Sequence, residues 1–265
     1  MNILETIVAA KRNEVAARKQ HTSIAKLQQQ ERFNREVFSL KESLLNVDRT
    51  GIIAEFKRKS PSKGIINADA DIVKVTTAYT SNGAAGLSVL TDTEFFGGTT
   101  DDLQQARINN IPILRKDFMI DAYQFYEAKA MGADVVLLIA ACLTVDEVKQ
   151  FAELSKQLGL EVLLEIHNEE ELAHICDDVD MVGVNNRNLK TFEVDINTSL
   201  QLLQKIPKNK LAIAESGITN IDTIVTLKEA GFKGFLIGEN FMKQPQPSIA
   251  FADFVNQLKA KCNEN

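Results

Sequence analysis

The sequence predicts an α/β fold, a single (β/α)8 TIM barrel with an N-terminal helical extension. Eight short, β-branched apolar runs recur along the chain, and segments with helical spacing lie between them. The runs are nearly continuous in hydrophobicity, which is typical of parallel strands that are covered on both faces. Eight strand–helix units within residues 51–265 fit a barrel, whose usual size is about 250 residues.

The eight predicted strands start far enough apart to leave room for a crossover helix after each one. They are 51–56, 86–91, 111–116, 133–140, 160–166, 180–185, 210–215 and 234–238. A doubly wound open sheet is the main alternative, but it would have fewer strands and, if it bound a dinucleotide, a GxGxxG turn. That motif follows none of the runs, which favours the barrel.

Two intervening segments carry complete helix signals. TVDEVKQFAELSKQLG (144–159) and NIDTIVTLKEAG (220–231) each begin with a residue that can cap a helix and end at a glycine that can stop it. NEEELAHI (168–175) and NTSLQLLQKI (197–206) have the same character but are shorter. We expect short helices there.

Residues 1–50 precede the first strand. One face of a helical pattern carries Ile3, Leu4, Ile7, Val8 and Val15. Residues 27–44 are expected to be helical or partly extended. Because no linker rich in Pro, Gly or Ser follows, we expect one domain over 1–265, with 1–50 as an extension and 51–265 as the barrel.

Composition narrows the class of protein. The net charge of −6 argues against a nucleic-acid partner. The three cysteines are far apart, odd in number and form no CxxC, which fits a reducing compartment. No apolar run has the length of a membrane span, and the N-terminus lacks a signal-peptide core. We therefore expect a cytoplasmic protein without a membrane partner.

Charged and polar residues gather at the C-terminal ends of the predicted strands, the face that carries the active site in barrels of this kind. In order they are Glu55 with Lys57, Thr91 with Asp92, Lys116 with Asp117, Glu165, Asn185 with Arg187, Glu215 with Ser216 and Gly217, and Gly238 with Glu239. Burying a charge costs free energy unless it is paired or used. One such residue could be a structural ion pair, whereas two lysines and three glutamates converging on one rim favour catalysis.

The last two strand ends predict a phosphate site. AESGI (214–218) and LIGENF (236–241) place glycine-containing turns at helix starts, where backbone N–H groups bind anions. The loops after strands seven and eight are the usual phosphate site of this fold. Gly217 allows close backbone approach, and Ser60 and Lys59 can close the site from the first loop.

We expect neither a metal nor an organic cofactor. His21, His167 and His174 form no HExxH motif and have no cysteine at ligand spacing. His167 is expected near the end of strand five as a surface or hydrogen-bonded residue. Phe96 and Phe118 follow strands two and three, where they could be core residues or could wall an aromatic ligand.

The motifs EFKRKSPSKG, SVLTDTEFFGG, ILRKDF, LLEIHN, GVNNRNL, AESGI and LIGENFM occur in this order at the spacing of the strands. Together they resemble the indole-3-glycerol phosphate synthases of tryptophan biosynthesis, over essentially the whole chain. The resemblance implies ring closure, decarboxylation and dehydration of 1-(2-carboxyphenylamino)-1-deoxyribulose 5-phosphate to indole-3-glycerol phosphate, with release of CO2 and water. It also implies that the N-terminal extension places a helix over the barrel mouth.

The resemblance implies catalytic roles for matching residues. Lys116 would be the general acid at the ketone oxygen. Lys57 would hold the anthranilate carboxylate and assist dehydration, in which Glu165 would shuttle the proton. The lysines and the ribulose hydroxyls would be positioned by Glu55, Asn185, Arg187 and Glu215.

The same resemblance implies binding roles at the two ends of the substrate. The phosphate would be bound by Ser60, Ser216, Gly217, Gly238 and Glu239. Glu239 replaces a small residue of some relatives, so only its backbone N–H is expected to bind. The aromatic ring would be walled by Phe96, Leu114, Phe118, Leu137 and Leu189.

We expect the protein to be a monomer. Two other functions remain open from the sequence. A class I aldolase also uses a buried barrel lysine, and borohydride trapping of its imine would distinguish it. A non-catalytic sugar-phosphate-binding barrel would have the phosphate turns without the ring of Lys and Glu.

Overall fold

The structure is a computed structural model that describes residues 3–188 and 193–263. Eight parallel strands form a closed barrel, which confirms the predicted fold. The strands are β1 Ile52–Phe56, β2 Gly86–Leu90, β3 Ile113–Lys116, β4 Val135–Ile139, β5 Glu161–Ile166, β6 Met181–Asn185, β7 Leu211–Glu215 and β8 Gly234–Ile237. Each lies within two residues of its predicted bounds.

The ring of strands closes between the first and the last. β1 pairs in parallel with β2 on one side and with β8 on the other, and every other strand pairs with its neighbours in the chain. The C-terminal ends of all eight strands therefore form one rim.

Side chains alternate between the lumen of the barrel and the surrounding helices, as they must along a strand. Ile53 and Leu114 belong to the interior cluster, whereas Ala54 and Phe56 pack in the outer cluster against the helices. The inward series of β3 continues from Leu114 to Lys116. This alternation decides which strand-end residues can reach the mouth.

Twelve α-helices are present among the described residues. They are α1 Ile3–His21, α2 Ile24–Gln28, α3 Leu40–Leu45, α4 Ile72–Ser81, α5 Thr93–Phe96, α6 Thr100–Ala106, α7 Tyr123–Met131, α8 Val145–Gln157, α9 Asn197–Leu203, α10 Ile221–Ala230, α11 Glu239–Met242 and α12 Pro247–Asn263. The predicted caps of α8 and α10 are confirmed, since the Thr144 and Asn220 side chains accept hydrogen bonds from the backbone N–H groups of Glu147 and Thr223. Within 3–188 and 193–263, no helix combines the length and the apolar character needed to cross a membrane.

Two segments depart from a simple helical prediction. The expected helix at 168–175 forms only the 3₁₀ helix Glu170–His174, because three consecutive glutamates leave too few apolar residues for a buried stripe. Residues 27–44 form the end of α2, a 3₁₀ turn, an extended stretch and the start of α3.

The N-terminal extension covers both ends of the barrel. Ile3, Leu4 and Ile7 of α1 line the cavity at the mouth, as the resemblance implies. Leu40 and Leu44 of α3 join the interior cluster at the opposite end. The extension thus packs on the barrel lumen from two sides.

Candidate active site

A cavity of about 230 Å³ opens at the C-terminal rim of the barrel, between the strand ends and α1. The structure brings most of the expected site residues together around it. Those that line it are Glu55, Lys57, Ser60, Phe96, Lys116, Phe118, Leu137, Glu165, Asn185, Arg187, Glu215, Ser216, Gly217, Gly238 and Glu239.

Two expected wall residues are not among those lining the cavity. Leu114 is fully buried in the interior cluster, because it precedes Lys116 by two positions and therefore lies one layer deeper. Leu189 lies outside the described residues. The apolar wall includes Ile3, Leu4 and Ile7, whose contact with the cavity depends on how α1 crosses the mouth.

Lys116 is the centre of the polar floor. Its Nζ donates hydrogen bonds to Glu165 Oε2 at 2.6 Å and to Glu215 Oε2 at 3.0 Å. Asn185 Nδ2 donates to the other oxygen of Glu165 at 3.0 Å. Beside this group, Lys57 Nζ lies 2.8 Å from Glu55 Oε1. Five strands thus bring charged or amide groups to one floor.

Glu165 and Glu215 share one ammonium group, that of Lys116, and the two carboxylates have very different pKa values. Burial lowers the pKa of Lys116, but the charges of Glu165 and Glu215 raise it by a larger amount. The net effect raises the pKa, so Lys116 stays protonated. Burial favours protonated Glu165, yet Lys116 and then His167 hold its pKa well below the usual range. Burial and repulsion from Glu165 outweigh the attraction of Lys116 and raise the pKa of Glu215 to about 7. Glu165 is therefore the ionised partner, while Glu215 exchanges a proton near neutrality.

Two glycines leave room for the carboxylates. A Cβ on Gly238 would lie 2.5 Å from Glu55 Oε1, and one on Gly183 would lie 2.0 Å from Glu215 Oε1. Each carboxylate therefore rests against the bare backbone of the neighbouring strand. Sequence analysis missed Gly183, although a glycine inside a strand can signal such a close approach.

Asp117 follows Lys116 in the chain and also lines the cavity, but its carboxylate pairs with cations other than Lys116. Its carboxylate lies 3.0 Å from Arg115 Nη2 and 2.9 Å from Lys11 Nζ, and Lys11 also lies 2.9 Å from Asp92. Burial favours protonated Asp117, but Arg115 and Lys11 lower its pKa to about 2. Lys11 ties α1 to the ends of β2 and β3, and sequence analysis missed it because a lysine on a helix is normally exposed.

The predicted phosphate end combines strained turns with a charged bridge. Ser216 and Gly217 have φ angles of 64° and 75°, the left-handed region that Ser rarely adopts. The carboxylate of Glu239 lies 3.5 Å from Arg187 Nη2 and 4.0 Å from Lys63 Nζ. Two cations thus flank the acid, and one of them, Arg187, lines the cavity.

Comparisons with known proteins agree with this geometry. The family model described as indole-3-glycerol phosphate synthase matches residues 4–254. The chain belongs to this family. Among curated members, the indole-3-glycerol phosphate synthase of Bacteroides thetaiotaomicron is 47% identical over 97% of this chain and 99% of its own length. That of Albidiferax ferrireducens is 42% identical over 95% and 97%.

Solved structures give the fold alone. Tryptophan synthase α-subunits of Pyrococcus furiosus superpose with TM-scores of 0.60 and 0.61 at 17% and 16% identity. Each match covers 81% of this chain and all of the solved chain. At this identity the likeness extends to the barrel and not to the site.

In this indole-3-glycerol phosphate synthase family member, only one of the three consecutive cations after β1 enters the cavity. Lys57 does so, whereas Arg58 turns away and binds Asp102 with 2.7 and 2.9 Å hydrogen bonds. Lys59, which sequence analysis expected to help close the phosphate site, donates to the backbone oxygen of Glu94 at 2.8 Å. Arg58 and Lys59 thus anchor the loop to α6 and α5.

His167 lies at the end of β5 behind Glu165, with 10% of its side chain exposed. Its two ring nitrogens lie 3.2 Å from Glu165 and 3.2 Å from Glu171. Across residues 3–188 and 193–263, no three His, Cys, Asp or Glu side chains come together as metal ligands. The family resemblance implied no role for this histidine.

Proposed function

We propose that this cavity is the active site of an indole-3-glycerol phosphate synthase, a decarboxylating carbon–carbon lyase of tryptophan biosynthesis. Its substrate is 1-(2-carboxyphenylamino)-1-deoxyribulose 5-phosphate. Family membership supports the reaction. The observation that carries the site assignment is Lys116, held as an ammonium between Glu165 and Glu215 at the cavity floor.

The shape of the substrate fits the layout of the cavity. The substrate has a phosphate at one end, an anthranilate ring at the other and a ketone between them. The turns at Ser216 and Gly238 lie at one side of the cavity, and α1 with Phe96 and Phe118 forms an apolar wall. We place the phosphate at the turns, the aromatic ring against the wall and the ketone at Lys116.

Ring closure needs an acid at the ketone oxygen. An ammonium has three N–H donors, and Lys116 uses two of them on Glu165 and Glu215. The third can donate to the ketone oxygen while the ring carbon that bears the carboxylate attacks the carbonyl carbon. The developing alkoxide takes the proton from Lys116.

Decarboxylation and dehydration follow from the same floor. Lys57 binds the carboxylate until the bond to CO2 breaks and its electrons restore the aromatic ring. The hydroxyl then takes a proton from Lys57 and leaves as water, and a proton is lost from the neighbouring methylene carbon. Glu165, which is ionised, is the base for that proton.

The direct experiment is a fluorescence assay for the indole product with the purified chain and the carboxyphenylamino substrate. We expect turnover without an added metal or cofactor and competition by inorganic phosphate. A folded protein that yields no indole product would contradict the proposal. An aldolase-type imine is disfavoured because Lys116 is held charged, and only a neutral amine attacks a carbonyl. Borohydride should therefore trap no adduct.

We further propose that residues 1–265 form one domain, and that the enzyme is a cytoplasmic monomer. Contacts of α1 and α3 with the barrel interior support the single domain. A single cooperative unfolding transition would support the single domain. A monomer mass by light scattering would support the monomer. Cell fractionation tests the location.

A further inference from the structure

His167 is a buried titratable residue that the mechanism above does not use. Its backbone N–H donates to Glu171 Oε2 at 2.7 Å, and its Nδ1 lies 3.2 Å from the same oxygen. On the other side of the ring, Nε2 lies 3.2 Å from Glu165 Oε1. The ring is therefore fixed between the proposed proton shuttle and a second carboxylate.

The two neighbours determine the protonation state of the ring. A neutral imidazole carries one N–H, whereas two flanking carboxylates favour a proton on each nitrogen. Burial alone lowers the pKa of His167, but Glu165 and Glu171 outweigh it and raise the pKa to about 9. The Nε2 contact lacks hydrogen-bond geometry, so the ring acts on Glu165 mainly through its charge.

Other ionisable groups around the ring leave this conclusion unchanged. They are Lys116 and Glu215 beyond Glu165, Glu171 and His174 of the 3₁₀ helix, Cys142 of the turn after β4, and Glu169 with Lys205, which line a second groove together with His167. Lys205 is paired with Glu169. The pKa of the Cys142 thiol is raised to about 12 by burial first and by Glu165 and Glu171 next, so it stays neutral.

The charge count explains what His167 contributes. Lys116 is a single cation between Glu165 and Glu215, and Glu215 competes for it. A second cation behind Glu165 lets that carboxylate remain ionised even when Lys116 gives its proton to the ketone. Without it, Glu165 would face Glu215 at the moment the ammonium becomes neutral.

We propose that His167, clamped by Glu171 as an imidazolium, is a positioning residue that keeps Glu165 ionised and turned toward Lys116 throughout the reaction. The inference rests on the proposed function of Glu165 as the base. The first experiment is done without substrate, so that failure of this inference can be distinguished from failure of the proposed function.

The first experiment follows the imidazole signals of the substrate-free chain by NMR as the pH is raised. The chain has three histidines, and loss of one signal in His167→Gln assigns the resonance. We expect His167 to stay protonated through pH 8 and to titrate near pH 9. In Glu171→Gln its titration should move down by at least about one unit, since a carboxylate at hydrogen-bond distance is lost. Titration of wild-type His167 near the ordinary value of about 6.5 would overturn the inference.

The second experiment compares pH profiles of kcat. His167→Gln keeps a donor of similar reach but removes the charge, so the acid limb, which reports ionisation of Glu165, should move up by about one unit, and kcat on the acid side of that limb should fall about tenfold. KM should change less than threefold. His174→Gln is the matched control, because the nitrogens of that ring lie at hydrogen-bond distance from the backbone oxygens of Leu143 and Glu171 and not from Glu165.

The shape of the pH profile of kcat distinguishes an effect of the His167 charge from a structural effect of the substitution. In Glu171→Gln the alkaline limb should move to lower pH, because the unclamped ring loses its proton earlier. A uniform loss of activity at every pH in His167→Gln, or a profile that superposes on wild type, would contradict the proposal. Should His167→Gln fail to fold, the Glu171→Gln profile and the wild-type NMR titration still decide it.

Discussion

Arg115 and Lys116 are adjacent cations at the end of β3, and they face opposite sides of the barrel wall. Arg115 is fully buried outside the lumen, where its guanidinium donates to Thr91, Gln124, Asp117 and Glu127. Lys116 faces the cavity, with 13% of its side chain exposed. The same rim thus carries two ionic clusters of different kind.

The difference lies in the proton affinity of the carboxylates. Asp117 lies at ion-pair distance from two cations, Arg115 and Lys11 of α1, which outweigh its burial and lower its pKa to about 2. Around Lys116, one ammonium serves two carboxylates, and the pKa of Glu215 is raised to about 7 by its burial and its neighbour. A charge at a strand end therefore indicates catalysis when a carboxylate beside it titrates near neutrality. It indicates stability when the carboxylate beside it is held ionised.

The largest expected effect is the loss of protein stability when Arg115 is removed. Arg115→Ala should lower the free energy of unfolding by about 3–5 kcal/mol, because removing one partner leaves buried carboxylates uncompensated. Urea unfolding followed by circular dichroism would measure it, with kcat per folded molecule expected within threefold of wild type. A variant with unchanged stability and lost activity would place Arg115 in the chemistry instead.

Next in size is the loss of substrate binding at Lys57. Lys57→Ala should raise KM about 10–100-fold, since a hydrogen bond to a charged group is worth about 1.5–3 kcal/mol. It should also lower kcat through the dehydration step. Lys59→Ala is the matched control, because its Nζ binds the Glu94 carbonyl outside the cavity, and its KM should stay within threefold. Equal effects in the two variants would remove the special role of Lys57.

How far the sequence predicts this site follows from the alternation of strand residues. Lys116 and Glu165 could be identified because each ends a continuous apolar run, and the eight runs made the barrel recognisable. The outward turn of Asp117 could not be predicted without the register of β3. Lys11 and Gly183 were missed because their roles depend on contacts with distant parts of the chain, namely Asp117 for one and Glu215 for the other.

The smallest effect concerns strain at the phosphate turn. Ser216 has a φ of 64°, which costs a residue with a Cβ about 1–2 kcal/mol. Ser216→Gly should therefore raise the free energy of unfolding by about 1 kcal/mol and weaken competition by inorganic phosphate severalfold, through loss of the hydroxyl. Paired urea unfolding and inhibition measurements test both parts. Unchanged phosphate inhibition would locate the anion elsewhere.

Gly217→Val is a less informative probe of the same turn. Its Cβ would lie 2.1 Å from Val194 Cγ1, so the variant would disturb the neighbouring loop as well as the anion site. Ser216→Gly changes only the side chain that faces the cavity, and it relieves strain instead of adding it.

The most direct test that the ionic cluster around Lys116 is the catalytic one is the kcat of Lys116→Ala, measured beside Arg115→Ala after both are checked for folding by circular dichroism. General acid catalysis contributes about 10²–10⁴-fold, and it acts on kcat because the ketone oxygen gains its charge only in the transition state. We expect Lys116→Ala to lose kcat by that order with KM changed less than about threefold, while Arg115→Ala keeps its kcat. A kcat within tenfold of wild type for Lys116→Ala would contradict the account and make Lys57 the candidate acid.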